Sequence, residues 1–280
     1  MTRYISQKGE DGFGHQLLGM MSIISLCSTD MIYVPYLHDG KFEHVSGEEK
    51  LLLKTYMIKF YQMLGFEIPC DFSQFPPKRV VSRNRNNFNY DVTDDLDWPN
   101  HTHVFDNAWS VPGIGKKVFG YEFYKSLTNE HLLKSDFNSD YTNIVIHLRG
   151  GDGDTRHFGT RQNMSILNKI IRKLKENYVK CKFNFHTNNE TINDSLLVDI
   201  PIDRYQIFGK NTPVLFSFSH MINADVLIVG DSSLSIAASY VNKGVVLVPD
   251  KLTCAEGKDI DIHPLNGIEN AISFKNYLSS

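Results

Sequence analysis

The stretch Asn143-Ile-Val-Ile-His-Leu-Arg-Gly-Gly-Asp152 decides the fold of the chain. Its first six residues form a short apolar run with β-branched side chains, which is typical of a strand buried on both faces of a parallel sheet. Glycines and aspartates follow up to Asp154, and residues 164–180 then carry apolar side chains at helical spacing with Lys and Arg between them. The pattern predicts a strand, a glycine-rich turn and an amphipathic helix in succession.

Strands and helices continue to alternate after this stretch. We expect strands at 182–186, 207–208, 225–229 and 244–249, and helices at 212–224 and 236–242. Pro213 falls in the first turn of the earlier helix, where proline is favoured because its missing N–H has no partner to lose. This alternation predicts a parallel sheet that is covered by helices on both faces.

The first half of the chain is less regular. We expect strands at 2–6 and 31–36 and helices at 15–28 and 48–64. Residues 76–112 are polar and rich in Pro, Asn and Asp, and they predict a long surface segment. The chain is therefore expected to form an α/β protein of two lobes, residues 1–140 and residues 141–280, with a cleft between them.

Composition and charge limit the classes of function. The chain carries 29 Lys and Arg against 32 Asp and Glu, and 41% of its residues are hydrophobic. Its net charge of -3 lacks the basic excess of a nucleic-acid binder, and no apolar run reaches the roughly 18 residues of a membrane span. The four cysteines share no close spacing, which favours free thiols in a reducing compartment. We expect a cytoplasmic protein that has no nucleic-acid partner and does not span a membrane.

Three turns that lead from a strand into a helix carry residues suited to binding an anion. They are Asp11-Gly-Phe-Gly-His-Gln16, Ile146-His-Leu-Arg-Gly-Gly-Asp152 and Gly230-Asp-Ser-Ser-Leu-Ser235. Ligands of parallel α/β sheets bind at this end of the strands, and glycines let the backbone approach them. Each turn alone also fits a structural role, as a glycine-rich turn or a helix N-cap. Together they predict a site for a nucleoside diphosphate between the lobes.

The second of these turns holds the side chain best suited to a diphosphate. Alternation along a strand puts His147 and Arg149 on the same side near its end, and a guanidinium offers a charged, planar fork of donors. Two alternatives remain open for this turn. In one, Arg149 only pairs with Asp152 or Asp154. In the other, a divalent ion for phosphate-ester hydrolysis is held by His147, Asp152, Asp154 and His157.

The three turns resemble motifs of one enzyme family. His147-x-Arg149 followed by Gly-Gly-Asp resembles the donor-binding motif of the fucosyltransferase superfamily with the GT-B fold, which contains protein O-fucosyltransferases and α-1,6- and α-1,2-fucosyltransferases. Gly12-Phe-Gly14-His-Gln resembles the glycine-rich turn near the start of those catalytic domains. Ala224-Asp-Val-Leu-Ile-Val-Gly-Asp-Ser-Ser233 resembles their late motif, in which an Ala-Asp pair precedes a strand and a Ser-Ser turn. The motifs also occur in the family's order.

The resemblance implies a fold, an activity and a donor site. The fold is two Rossmann-like lobes of GT-B type, and the reaction is metal-independent, inverting transfer of a sugar from a nucleotide diphosphate to a glycan hydroxyl, with no cofactor. Arg149 would contact the diphosphate and assist its departure, His147 would contact nucleoside or phosphate, and Asp225 would face the base. The other donor-site residues that the motifs supply are Gly12, Phe13, Gly14, His15, Asp231, Ser232 and Ser233.

The identity of the donor sugar depends on one departure from the family pattern. The fucosyltransferases often carry a second Arg directly after the first, and here that position holds Gly150. The short chain, with no expected membrane anchor, also resembles the compact glycosyltransferases of chloroviruses, which build capsid glycans outside the secretory pathway. This second resemblance implies UDP-xylose as donor and a fucose-containing glycan as acceptor, in the host cytoplasm. GDP-fucose is the alternative donor.

An inverting transfer needs a base that takes the proton from the acceptor hydroxyl. The resemblance assigns this role to Asp11, which precedes the Gly-Phe pair. His15 is the second candidate. The alternative is that Asp11 and Glu10 are solvated turn residues with no catalytic role. His186 ends a predicted strand and is expected to line the nucleotide, whereas His220, in an apolar helix, is expected to be a core histidine. A noncatalytic sugar-binding protein is the third class of function that the sequence leaves open.

Overall fold

The computed structural model divides the chain into two compact units, Met1–Gly120 and Tyr121–Ser280. The residues that the structure describes are 3–7, 13–26, 31–34, 51, 55, 58, 73, 75–81, 100–105, 137–148, 161–187, 197, 200–209, 211–230, 232–250, 252–253, 259–260 and 270–280. The boundary expected at residue 140 falls within the second unit.

The first unit contains a four-stranded parallel sheet. Its elements are β1 (Arg3–Gln7), α1 (Phe13–Leu26), β2 (Met31–Tyr33), β3 (Lys78–Val81) and β4 (Thr102–Phe105). The strand order is β2-β1-β4-β3, and every neighbouring pair is parallel. Ile5, Leu17 and Val104 are buried apolar side chains of this unit. The strand and the helix that the sequence predicts within residues 2–28 are thus confirmed.

Two strands of this sheet lie where the sequence predicts a surface segment. β3 and β4 fall within residues 76–112, and β4 is an inner strand between β1 and β3. His103 is fully buried in β4, and the Thr102 hydroxyl donates a hydrogen bond of 2.8 Å to the Pro76 carbonyl. The prediction is wrong for these residues. A short polar strand becomes stable through partners that lie far away in the sequence, and local propensity does not reveal them.

The second unit contains a six-stranded sheet in which every neighbouring pair is parallel. Its strands are β5 (Thr142–Leu148), β6 (Cys181–Thr187), β7 (Tyr205–Phe208), β8 (Val226–Ile228), β9 (Val245–Val248) and β12 (Ala271–Ser273). A separate antiparallel pair is formed by β10 (Leu252–Thr253) and β11 (Asp259–Ile260). The helices are α2 (Arg161–Asn177), α3 (Val214–Asn223), α4 (Ser233–Ser239) and α5 (Phe274–Ser279).

The strand order of this sheet is β12-β9-β8-β5-β6-β7. Starting from β5, the chain adds β6 and then β7 on one side of it. β8 then pairs with the other side of β5, and β9 and β12 follow outward from β8. This is the order of a doubly wound, Rossmann-type sheet, and its direction reverses between β5 and β8. The predicted α/β class, with parallel sheets and helices, is confirmed.

One face of the six-stranded sheet packs against α2 and α5. The apolar side chains that predict an amphipathic helix are the buried side of α2, namely Met164, Leu167, Ile170, Ile171 and Leu174. They meet the side chains of Ile144, Ile146, Phe183 and Phe185 from the sheet and of Phe274 and Tyr277 from α5. Burying each such side chain stabilises the fold by roughly 1.5–3 kcal/mol. This packed core therefore fixes the position of the turns at the ends of the strands.

Candidate functional site

The reversal point between β5 and β8 brings two of the three predicted turns together. His147 is the second-last residue of β5, and Gly230 follows the end of β8. A Cβ added at Gly230 would lie less than 3.0 Å from the carbonyl oxygen of His147, so the turn after β8 rests directly on the end of β5. In doubly wound sheets the ligand binds outside the carboxyl ends of the strands at this reversal point. The structure thus identifies this edge as the candidate site.

The turn after β8 is a compact, hydroxyl-rich structure. Ser232 caps the start of α4, where its side chain accepts a hydrogen bond from the Leu234 backbone N at 3.4 Å. The buried Ser235 hydroxyl donates to the Gly230 carbonyl at 3.1 Å and is also 3.1 Å from the Ser232 carbonyl. Ser232 and Ser233 remain half-buried at the surface of this turn. Their hydroxyls can donate hydrogen bonds, which suits this turn to an anionic group.

Several predicted site residues lie outside the described residues, namely Asp11, Gly12, Arg149 and Asp231. In the first unit, α1 begins at Phe13 rather than at residue 15, so Phe13 and Gly14 belong to the first helical turn and not to a loop. Phe13 is only 6% exposed, which makes it a core side chain, while His15 is half-buried. The Phe13 side chain therefore packs within the unit, and its assignment to the donor site stays a prediction.

His186 lies at the same edge, on the neighbouring strand β6, where it is the register partner of His147. Its side chain is 1% exposed and points to the face opposite that of Phe185. Its Nδ1 lies 3.0 Å from the Ser217 hydroxyl and its Nε2 lies 3.2 Å from Nδ1 of His220, both on α3. Both ring nitrogens are thus engaged inside the unit. These contacts give His186 a structural role at the edge, and its contact with the nucleotide stays a prediction.

Burial keeps this histidine uncharged. Removal from water, together with the neighbouring His220 and His147, lowers the pKa of His186 from 6.5 to about 2. Phe208 stacks on the His186 ring with centroids 4.6 Å apart and planes 12° apart. A charged imidazolium would lack solvation among these rings. His186 therefore holds the end of β6 against α3 as a neutral hydrogen-bonding group.

Sequence reasoning missed the partner of His186 on α3. Ser217 and His220 are three residues apart, so they lie on one face of the helix. That spacing, together with a polar residue at the end of β6, is the signal that could have identified the contact. His220 itself is 1% exposed, which confirms the expectation of a core histidine.

Asp225 lies at the opposite edge of the sheet. It precedes β8, and its Oδ2 accepts hydrogen bonds from the backbone N of Asn143 at 2.7 Å and from Nδ2 of Asn143 at 3.4 Å. Its carbonyl accepts a bond of 2.8 Å from the Val245 N. Four residues of strand separate Asn143 from His147, a distance of about 13 Å. The structure therefore does not bring Asp225 to the donor-site edge as predicted, because a residue before a parallel strand lies at its amino end.

Two features are absent from the described residues. They contain no group of three or more His, Cys, Asp or Glu side chains placed to hold a metal ion. Asp152, Asp154 and His157, which the metal hypothesis requires, lie outside them. Within the same residues, no helix combines the length and the apolar character needed to cross a bilayer.

Comparison with known proteins gives likenesses in structure. No protein-family model matches the chain, and no curated protein matches it. The structure is similar to fucosyltransferase NodZ from Bradyrhizobium, with 12% identity, a TM-score of 0.48, and coverage of 86% of this chain and 94% of that one. It is similar to POFUT1 in complex with GDP, with 14% identity, a TM-score of 0.43, and coverage of 87% and 96%. It is also similar to MnaA of S. aureus in a co-structure with UDP, with 12% identity, a TM-score of 0.41, and coverage of 100% of this chain and 87% of that one.

Proposed function

We propose that the protein is a glycosyltransferase that uses a nucleotide-sugar donor, and that the donor diphosphate binds at the carboxyl edge of β5 and β8. The observation that carries the proposal is the direct contact between the turn at Gly230 and the end of β5 at His147. Two motifs separated by more than eighty residues of sequence meet there, at the reversal point of a doubly wound sheet. The meeting supports the donor site that the sequence motifs imply.

Four side chains supply the chemistry of this site in the proposal. The guanidinium of Arg149, which follows β5, binds the diphosphate through paired hydrogen bonds. Ser232 and Ser233 donate from their hydroxyls, and His147 adds a contact from the strand end. These donors stabilise the negative charge that develops on the diphosphate as it leaves. Asp225 is not part of the proposed site, since it belongs to the amino edge.

The reaction in this proposal is inverting and does not require a metal ion. The acceptor hydroxyl oxygen forms a bond to the anomeric carbon on the face opposite the leaving group. The bond from that carbon to the diphosphate oxygen breaks, and its electron pair leaves with the diphosphate. The hydroxyl proton passes to the carboxylate of Asp11, the proposed base. The acceptor is a glycan, held by the first unit.

We propose UDP-xylose as the donor, with a fucose-containing glycan as acceptor. Gly150 supports this choice over GDP-fucose, because the fucosyltransferase motif often has a second Arg at that position. The widely spaced cysteines favour a reducing compartment, so we place the reaction in the cytoplasm. GDP-fucose remains the second donor to test.

The donor site is tested by nucleotide-induced thermal stabilisation. UDP, GDP and their sugars are added to the parent protein, and UDP and UDP-xylose are expected to raise the melting temperature, by an amount equivalent to about 2.7 kcal/mol at a hundredfold excess over Kd. Arg149→Ala is expected to weaken nucleotide binding at least tenfold, or about 1.4 kcal/mol, since it removes a charged, bidentate contact. Arg172→Ala, on the exposed face of α2, is the control. Equal binding by Arg149→Ala and the parent would contradict the assignment.

The base is tested by Asp11→Asn, which keeps the size of the side chain and removes its ability to accept a proton. We expect a transfer rate about a hundredfold lower, the lower end of what a general base contributes. Nucleotide binding should stay unchanged, because Asp11 is not a proposed phosphate ligand. Transfer is measured as release of UDP from UDP-xylose in the presence of a fucosylated acceptor. Full activity of Asp11→Asn would mean that another group takes the proton.

A further inference from the structure

A cavity lies at the amino edge of the six-stranded sheet, at the end of the strands opposite the proposed donor site. Its volume is about 950 Å³, at the upper end of the range for small-molecule sites. It is formed by the segment before β5, the segment between α2 and β6, and the residues between α3 and β8. β5 has seven residues, which puts the cavity about 20 Å from the carboxyl edge. None of the proposed donor-site residues that the structure describes, namely His147, Ser232 and Ser233, lines it.

The walls of the cavity combine planar polar groups with aromatic rings. Asp140, Asp225 and Lys180 are exposed and contribute two carboxylates and an ammonium group, while Tyr141 and Tyr178 contribute half-buried rings. Carboxylates accept hydrogen bonds in pairs, the ammonium group donates them, and phenol rings present flat apolar faces. A ligand that suits all three must carry hydroxyls that both donate and accept, on an otherwise apolar ring.

Part of this arrangement is held in place before any ligand arrives. Asn143 fixes one oxygen of Asp225 through its backbone N at 2.7 Å, while the side-chain amide of Asn143 is anchored on the Tyr141 carbonyl at 2.9 Å. Among the described residues, the second carboxylate oxygen of Asp225 makes no hydrogen bond. The guanidinium of Arg204 lies 5.1 Å from the centre of the Tyr141 ring and steadies it. A preorganised wall lowers the entropy that binding costs.

The charged side chains at the cavity limit the class of ligand that it can bind. The two carboxylates of the cavity disfavour phosphates and nucleotides, and Lys180, with Arg204 close to Tyr141, disfavours a polyamine. We propose that this cavity binds a neutral oligosaccharide, whose rings lie on Tyr141 or Tyr178 and whose hydroxyls bond to Asp140 and Asp225. The inference stands on the cavity itself and does not depend on the proposed transfer reaction.

The test is saturation-transfer NMR with the full chain and three neutral probes, namely lactose, maltotriose and N,N′-diacetylchitobiose. We expect transfer to at least one probe, a loss of affinity of at least fivefold in Asp140→Ala, and an unchanged signal when UDP is added. Asp140 is exposed, so its replacement leaves the fold intact. Asp250→Ala, an exposed acid beyond β9, is the matched control and should bind as the parent does.

Each other outcome overturns the inference. It fails if no probe shows transfer, if Asp140→Ala binds the probes as tightly as the parent, if UDP displaces them, or if spermidine binds at Asp140 while the sugars do not. The proposed transferase activity is scored separately, by the nucleotide-induced thermal shift. A protein that binds the sugars but no nucleotide would retain this cavity as a site and lose the proposed function.

Discussion

Replacing Gly230 with alanine is expected to lower the free energy of unfolding of the second unit by about 3 kcal/mol and to remove nucleotide binding. The added Cβ would lie less than 3.0 Å from the carbonyl oxygen of His147, a backbone atom that cannot turn aside. The turn after β8 must then move away from the end of β5, and overpacking of this kind costs up to about 3 kcal/mol. The same displacement would pull apart the two turns that we propose to bind the diphosphate.

Two other glycines of the same unit provide matched controls. A Cβ at Gly244 would meet the carbonyl oxygens of Asp225 and Ala224 at less than 3.0 Å, but at the amino edge of the sheet. Gly244→Ala should therefore lose a similar amount of stability and still bind UDP when folded. A Cβ at Gly209 would meet no atom within 4 Å, so Gly209→Ala should match the parent in both respects.

Urea unfolding followed by circular dichroism measures the stability of these variants. Equilibrium dialysis with UDP and GDP, well below every melting temperature, measures binding by the folded protein. The donor site at this edge would be refuted if Gly230→Ala bound nucleotide as the parent does. It would also be refuted if Gly244→Ala lost binding to the same extent while folded.

Acidification is expected to destabilise the second unit by about 3 kcal/mol between pH 7 and pH 4. The pKa of His186 is 6.5 when exposed and about 2 in the folded protein. Below pH 6.5, His186 therefore binds a proton in the unfolded chain but not in the folded protein. Stability is fully present above pH 6.5 and falls by about 1.4 kcal/mol for each unit of pH below it, down to about pH 2.

Hydrogen exchange of the β5 and β6 amides, measured by mass spectrometry across this pH range, reports the opening of the unit. His186→Gln removes the titrating group while keeping a side chain that can donate and accept. It should lower protection at pH 7.5, because the contacts with Ser217 and His220 are imperfectly replaced, and yet flatten the acid slope by about 1.4 kcal/mol per pH unit. His15→Gln, in the first unit, should leave this slope unchanged. An equally steep slope in His186→Gln would show that other groups cause the loss.

The sequence carried most of the information needed for the second unit. The β-branched apolar runs of β5, β8 and β9 are typical of strands that are buried on both faces of a covered sheet. Their local pattern was therefore sufficient to predict these strands. Helix α4 begins at Ser233, earlier than the expected residue 236, because Ser232 acts as the N-cap and starts the helix at once. β12 of this unit was missed, as were β3 and β4 of the first unit, because three or four residues form a strand only beside the right neighbour.

The candidate site was harder to predict than the fold. Ligands of parallel sheets bind at the carboxyl ends of the strands, and this rule predicts that the turn at Gly230 lies near the end of β5. The contact of Gly230 with His147 agrees with that rule. The contacts of His186 could not be predicted from the sequence, because its partners on α3 lie 31 and 34 residues further along the chain. Asp225 was misplaced by motif matching alone, since its position before β8 already indicated the amino edge.

The packing of α5 onto α2 has a consequence for biosynthesis. Phe274 and Tyr277 belong to the same apolar core as Ile144 and Leu167, so that core is closed only after the α5 segment leaves the ribosome. At about 5–20 residues per second, a nascent chain would leave this core open for roughly 5 to 25 seconds after β5 emerges. A ribosome that stalls before Phe274 therefore carries a nascent chain with this apolar core exposed, and exposed apolar surface makes such intermediates prone to aggregate.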